Sequence, residues 1–395
     1  MSVIDARRCV VEQVRVASRL QKPRAEVVGL ADAFGRVLAE EVLADRDYPA
    51  VARSIRDGFA VRASDLPGAF DVVGESRAGG SFAGTVGAGQ AVEIMTGAPV
   101  PQGADQIVMV EHTSRDGQRM RTDRMAKAGE FINPQASEIR RGERFVGEGT
   151  RIGMGEIAGL ATVGRPQVRV YVRPGVAILS TGDEVIPIEE TPEGNQVRNS
   201  NAWALAAQVR RCGGVPSIMP VARDDHDATA KLVAQGLNEY DLLLLSGGVS
   251  AGKYDYVEPV LATFGAEFFF DRVLIQPGQP LVFGKAQGKF FFGLPGNPGS
   301  TMVCFEVFGR AAVELLGGMS EAPLPTAWAR LTHDFSHKPG LARFLGSVLK
   351  DGDVTQVPSQ GSGDVAALAN SNCFLIAEPD REHWAAGEMI RVLLS

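Results

Sequence analysis

Two short loops carry the residues best suited to chemistry. The first follows the apolar run Leu242–Leu245 and reads Ser246-Gly247-Gly248-Val249-Ser250-Ala251-Gly252. The second follows Phe290–Phe292 and reads Gly293-Leu294-Pro295-Gly296-Asn297-Pro298-Gly299-Ser300. A short apolar run ending in glycine has the pattern of a buried parallel strand. Glycine lets the backbone turn sharply and approach a ligand, and a helix that begins just beyond presents unpaired N–H groups to an anion. Two such loops in one domain predict a phosphate or oxyanion site at the carboxyl edge of a sheet. A tight connection is the plainer alternative for either loop alone. Pro295 and Pro298 stiffen the second loop, and Ser300 falls in the first helical turn beyond it with its hydroxyl free.

Carboxylates recur where strands end. Asp183 and Glu184 follow Val176–Ser180, Asp224 and Asp225 follow a strand near Ile218–Val221, and Asp255 follows the first loop. Each can cap a helix. Together they have the composition of a Mg²⁺ site, since Mg²⁺ takes few carboxylates and keeps its waters. A cation beside phosphates offsets their charge. Asp57 in Arg56-Asp57-Gly58, and Thr96 and Asp105 in two further glycine-bearing segments, also fit ordinary turns. The five histidines show no metal-ligand spacing, and no Ser-His-Asp arrangement is visible.

The elements that must position these residues follow from the pattern along the chain. Val10, Val11, Val14, Ala17 and Leu20 predict a helix over 4–20, and a second helical stretch is expected over Leu30–Glu41. Residues 47–146 are glycine-rich with short alternating segments, an inserted β-rich domain. Residues 151–164 read as a small mixed region. Strand and helix then alternate over 171–321, which predicts a three-layer α/β domain. Within it, Asn199-Ser200-Asn201 offers helix caps, and Ala202, Leu205, Ala206 and Val209 form one apolar face stopped by Gly213-Gly214. Helices are also expected over Asp227–Leu237, over Val257–Phe264 and, buried on nearly all sides, after Pro298. Ala322-Pro323-Leu324-Pro325 is a linker, and 322–395 form a small C-terminal β domain. The fold class is therefore multidomain, α/β plus β.

Composition bounds the function. The chain has 395 residues, 45% apolar and 22% charged, which suits several globular domains. A net charge of −7 argues against a general nucleic-acid binder. The four cysteines are far apart and form no C-x-x-C pair, so neither a zinc site nor a disulfide framework is expected, and reduced thiols fit a cytoplasmic protein. No signal-like or membrane-spanning apolar run is present in the sequence.

In this order, the segments resemble the molybdopterin molybdenumtransferase family (MoeA and the matching domain of gephyrin). The resemblance rests on Asp57–Ala60, Thr96–Asp105, Glu111, Ser180–Glu184, Asn199–Asn201, Leu245–Ser250, Gly293–Pro298, Ser362–Val365 and Asn372-Cys373. It implies a split N-terminal domain (1–46 with 147–170), the β-rich insert, a molybdopterin-nucleotide-binding α/β domain and a C-terminal β domain. It also implies a homodimer whose active site lies between the α/β domain of one subunit and the insert of the other. The implied reaction takes adenylylated molybdopterin and molybdate with Mg²⁺, transfers the metal oxyanion to the dithiolene and releases AMP. A client molybdoenzyme or other cofactor-biosynthesis proteins are the implied partners, with no nucleic acid and no membrane.

By position, the resemblance implies a catalytic set of Asp57, Thr96, Glu111, Asp183, Glu184, Asp225 and Asp255, the first three supplied by the partner subunit. Asp183, Asp225 and Asp255 are the implied cation ligands. The implied cofactor-binding residues are Thr181, Gly182, Asn199, Ser200, Asn201, Ser246, Gly247, Gly248, Ser250, Gly252, Gln276, Gln279, Pro280, Pro295, Gly296, Asn297, Pro298 and Ser300. The chain departs from the pattern in basic residues. Lys-Pro-Gly-Lys-Pro, whose lysines face molybdate in the family, reads Gln276-Pro277-Gly278-Gln279-Pro280 here. The arginines of a Gly-Arg-x-Glu/Asp-Phe-x-Arg stretch are replaced by Leu341 and Gly346, with Arg343 close by, and Gly-Glu-Asp of the insert reads Gly142-Glu143-Arg144. Neutral amides still donate hydrogen bonds, but a charge-assisted bond is about twice as strong. Weaker molybdate capture is therefore expected unless Lys253, Arg56, Arg144 or Arg343 compensates. A divergent paralogue that binds the pterin nucleotide as a carrier or interaction protein is the alternative.

Overall fold

The computed structural model describes residues 1–248 and 257–395. Helix α1 (Val3–Leu20) opens the chain as predicted, capped by Ser2, whose hydroxyl accepts from the Asp5 N–H. The expected helix over Leu30–Glu41 is replaced by a single 3-10 turn, Leu30–Asp32. Beyond it Val37 and Leu38 form β-bridges to Arg151 and Val170, so pairing with distant chain overrides the local helical spacing.

By compactness the chain divides into two units. One comprises residues 41–147 with 154–167. Its main element is a six-stranded sheet in the order Gln106–Met109, Gly58–Val61, Gln90–Ile94, Gly68–Ser76, Arg119–Thr122, Ser114–Asp116. Every pairing is antiparallel except that of Gly68–Ser76 with Gln90–Ile94. Phe59, Val61 and Val108 pack on one face, and Ala60, Ile94 and Ile107 on the other, the period-2 alternation of a strand buried on both sides. The region expected to be mixed contains helix α2 (Met154–Thr162), which belongs to this unit.

The second unit holds residues 1–40, 148–153 and 168–395. Its central sheet has the order Val215–Ile218, Gly175–Ser180, Leu242–Ser246, Lys289–Leu294, Val282–Ala286, Glu267–Phe270. The first four strands run parallel, and the last two are antiparallel additions. The strand expected near Ile218–Val221 lies slightly earlier, fixed by register with Gly175–Ile178. Helices α3 (Ser200–Arg211), α4 (His226–Glu239), α5 (Val257–Thr263), α6 (Pro298–Cys304) and α7 (Arg310–Leu316) cover the sheet. Ile178, Leu244 and Phe292 meet α1, α3, α6 and α7 on one face, and Ala177, Leu179, Leu243 and Leu245 meet α4 and α5 on the other. This is the three-layer α/β arrangement. Helices α6 and α7 are continuous through a π-helical turn, Phe305–Gly309, and buried as predicted.

The last 70 residues curl into a small β-barrel-like domain. Strands Ala342–Lys350, Asp353–Gln356, Thr326–Leu331, Met389–Leu394 and Cys373–Ala377 pair in that order, and Cys373–Ala377 pairs back to Ala342–Lys350 to close the ring. One strand of the α/β region, Ile275–Gln276, joins the outside of this ring with Ile275 opposite Ala342 and Gln276 opposite Arg343. Helix α8 (Val365–Ala369) crosses nearby, capped by Asp364.

Candidate functional site

Three parallel strands bring their carboxyl ends level, because Ser180 pairs in register with Ser246 and Ser246 with Leu294. The two glycine loops therefore leave the sheet side by side. Between them opens a cleft of about 710 Å³. Thr181 and Gly182 line it from one strand end, Ser246, Gly247 and Gly248 from the next, and Pro295, Gly296, Asn297 and Pro298 from the third. Asn199, Ser200 and Asn201 line it from the start of α3, and Glu184 and Pro280 from its edges.

Hydrogen bonds fix this wall. The Thr181 N–H donates to the Ser246 carbonyl (3.0 Å), and the Gly247 N–H to the Leu294 carbonyl (3.1 Å). Asn201 spans the loops, its Nδ2 donating to Ser246 Oγ (2.9 Å) and to the Gly296 carbonyl (2.7 Å). Its Oδ1 is buried without a hydrogen-bond partner among the described residues. Asn199 caps α3 by accepting from the Ala202 N–H, and it also accepts from the Ser180 hydroxyl (2.9 Å). A side chain at Gly247 is excluded twice: φ is +93°, and a Cβ would sit 3.0 Å from the Thr181 carbonyl oxygen. At Gly247 the loop thus presents bare backbone to the cleft.

The carboxylates divide. Asp224 and Glu184 line the cleft, whereas Asp183 and Asp225 do not. Asp183 Oδ1 accepts from the Asp224 N–H (3.2 Å). Asp225, expected as a cation ligand, caps α4 by accepting from the Ala228 N–H (2.8 Å), the alternative role open to it from the sequence. Partial burial first, then repulsion from Asp183 and Glu184, raises the Asp224 carboxyl above its ordinary range. Among the described residues no group of three metal-ligating side chains exists. Mg²⁺ needs only one or two carboxylates when phosphates and water complete its shell, a number that Glu184 and Asp224 on the cleft wall could supply. Ser250, Gly252, Asp255 and Lys253 lie outside the described residues.

A second cleft, of about 520 Å³, adjoins the first at Pro280. The turn Gln276–Gln279 and the residues Gly299 and Ser300 form one side, and Leu341, Arg343 to Gly346, Ser359 and Ser362 of the C-terminal domain the other. The partition between the clefts is tied by the Gly299 N–H donating to the Ser362 carbonyl (2.8 Å) and Asn297 Nδ2 to Ser362 Oγ (2.9 Å).

In the other unit, Asp57, Thr96 and Glu111 converge at one end of the six-stranded sheet. Asp57 Oδ1 accepts from both the Thr96 N–H (2.6 Å) and hydroxyl (2.8 Å), which holds its carboxyl below the usual range. The Val110 N–H, beside Glu111, donates to the Asp57 carbonyl (3.2 Å).

Sequence reasoning missed Arg198, Val185 and Val197 and named Gly363 and Val365 only as part of the family pattern; all five line the first cleft. Arg198 is its one lining cation among the described residues, held by Nε donation to the Glu190 carbonyl (2.9 Å). Its place directly before Asn199-Ser200-Asn201 was the available signal.

Comparison with known proteins adds a lineage to this geometry. Residues 1–164 match the MoeA N-terminal region (domain I and II), 177–314 a probable molybdopterin binding domain, and 328–395 the MoeA C-terminal region (domain IV). A molybdopterin molybdenumtransferase of Staphylococcus epidermidis is 33% identical over 392 residues, covering 95% of this chain and 94% of that protein. Its counterpart from Nostoc is 34% identical over 384 residues, 93% of this chain and 88% of that one. The crystal structure of the molybdopterin biosynthesis moeA protein from Pyrococcus horikoshii superposes with a TM-score of 0.80, 26% identity and full coverage of both chains. With its glycine loops joined in one cleft and relatives matched along nearly its whole length, the chain belongs to the molybdopterin molybdenumtransferase (MoeA) family.

Proposed function

We propose that this protein inserts molybdate into adenylylated molybdopterin and releases AMP in a Mg²⁺-dependent step. One observation carries the proposal: both glycine loops and the start of α3 line a single cleft of about 710 Å³, large enough for a nucleotide. Backbone N–H groups at the strand ends and the first turn of α3 bind phosphate oxygens. Arg198 supplies the one positive charge among the described residues that line this cleft. Asn201, bonded to both loops, holds them at a fixed spacing.

Glu184 and Asp224, the two carboxylates on the cleft wall, would hold the Mg²⁺, which would offset charge on the phosphates. Asp57, Thr96 and Glu111 of a second copy would complete the site in a homodimer. The bonds from Thr96 keep Asp57 ionised, as a group that orients water or a substrate hydroxyl must be. A cytoplasmic setting suits the four cysteines, all free thiols. No described helix is long and apolar enough to cross a membrane.

The test supplies the purified protein with adenylylated molybdopterin, molybdate and Mg²⁺ and follows AMP by chromatography. AMP is expected to appear only when all three are present. Tight binding of the pterin nucleotide with no AMP release would replace this function with that of a carrier.

A further inference from the structure

A third cavity, of about 450 Å³, shares no lining residue with either cleft and opens between the end of α1 and the loop that follows α7. All of it belongs to one compact unit. Arg15, Ser18 and Arg19 share one face of α1 at helical spacing, and Lys22 follows just beyond the helix end. Leu315, Met319 and Glu321 line the facing wall. Hydrogen bonds hold that wall in place: the Met319 N–H donates to the Glu314 carbonyl (3.1 Å) and the Ser320 N–H to the Gly149 carbonyl (3.2 Å). Three of the lining residues are cations and one is an anion, in a chain whose net charge is −7.

The donors of this cavity are weakly engaged. Arg15 reaches only the Ser320 carbonyl, at 3.4 Å. Arg19 makes no hydrogen bond or ion pair with a described residue. Lys22 meets Glu148 Oε1 at 3.1 Å, but that oxygen also accepts from the Tyr171 hydroxyl, and an exposed pair of this kind is worth little. Complementing the carbonyl end of α1 accounts for Arg19, in its last turn. It does not account for Arg15 one turn earlier, since like charges at i,i+4 oppose each other. Nor does it account for Ser18 between them. The Ser18 Oγ is shielded from solvent and has no hydrogen-bond partner among the described residues. Such a hydroxyl is costly unless a bound group supplies the missing partner.

We propose that this cavity binds a phosphate monoester. The head group carries close to two negative charges at neutral pH and three acceptor oxygens, enough for two guanidinium forks and the Ser18 hydroxyl together. Lys22 adds charge to the same cavity, and Pro23, Leu315 and Met319 give apolar surface to a small organic body. Glu321 opposes the head group and limits how tightly it is held. The site is independent of the reaction proposed for the first cleft.

Calorimetric titration of the full-length protein with phenyl phosphate tests this. The variant carrying both Arg15→Gln and Arg19→Gln should bind at least about tenfold more weakly than the parent. Glu321→Gln should bind about twofold to fivefold more tightly, a gain that a damaged fold would not give. Arg198→Gln, in the first cleft, should leave this binding unchanged. Phenyl sulfate has the same shape with a single charge and should bind about tenfold more weakly than phenyl phosphate. Inorganic phosphate, which lacks the organic body, should also bind more weakly. No binding of phenyl phosphate to the parent, or equal binding to the parent and the double arginine variant, overturns the proposal. So does a loss confined to Arg198→Gln, which would place the ligand in the first cleft. Equal affinity for phenyl sulfate would overturn the choice of a dianion, and equal affinity for inorganic phosphate the choice of an ester.

Discussion

Asp224 carries its proton more tightly than an isolated aspartate because partial burial and the charges of Asp183 and Glu184 disfavour its ionised form. In the unfolded chain that carboxyl ionises at its ordinary, lower pKa. Between the two values the folded state binds more protons, so stability falls as pH rises through this window. Asp224→Asn removes the repulsion. The variant should therefore melt at a higher temperature than the parent at pH 7, and the gain should vanish once acid has protonated Asp224 in both states. An equal melting temperature at neutral pH would show that the three carboxylates do not repel. At this scale the sequence was legible only in part. It marked Asp224 and Asp225 as one acidic pair. The two diverge because Asp225 begins α4 and is used as its cap, and the backbone step between them decides which one faces the cleft. Arg198 was legible only through its neighbours Asn199-Ser200-Asn201, since nothing in the two-residue strand Val197–Arg198 itself marks it as bordering a distant loop.

Among the elements, the turn Gln276–Gln279 depends on helix α6. Gly278 has φ +109°, and a Cβ there would lie 2.3 Å from Cys304 Sγ, one helix away. Gly278→Ala should destabilise the fold by about 2–4 kcal/mol, combining a backbone penalty with overpacking. Adding Cys304→Ala removes the steric part, so urea unfolding of the double variant should show less loss than the two single losses summed. Simple additivity would mean that the contact does not set the turn. The runs Leu242–Leu245 and Phe290–Phe292 were readable as strands because a strand buried on both faces needs apolar side chains at every position. The stretch Leu30–Glu41 was not, because its buried residues Val37 and Leu38 pair with residues more than a hundred positions away. The π turn within the helix from Pro298 to Leu316 also left no local trace. It places Glu306, 1% exposed, to accept from Gln208 Nε2 (2.6 Å) and to pair with Arg211 and Arg310. That network involves α3, nearly a hundred residues earlier.

For the molecule as a whole, the sequence separated the β-rich insert from the α/β and C-terminal β regions, because their periodicities differ. Compactness groups the chain more coarsely. Helix α1 packs its Ala6, Val10 and Val14 into the same core as the central sheet, and Arg7 donates to the Val307 and Ala322 carbonyls. The N-terminal 40 residues are thereby bound into the α/β unit. If Asp57 serves the cleft of a partner subunit, two inactive variants should repair each other. Asp57→Ala and Asn201→Ala, unfolded together and refolded as random dimers, should regain about a quarter of parental AMP release, because only mixed dimers contain one intact site. No recovery from a mixture shown to form mixed dimers would place Asp57 with the cleft of its own chain or outside the reaction.

The two-residue seam joining Ile275–Gln276 to Ala342–Arg343 also limits how such proteins can be recombined. A C-terminal domain grafted from a relative must enter the seam at the same step of the ladder. A slip of one residue would turn Arg343 to the opposite face and bring Ala342 or Phe344 round in its place. Hybrids that fold normally can therefore still take Arg343 out of the second cleft, and the compatibility of donor and recipient is decided by four backbone positions rather than by overall resemblance.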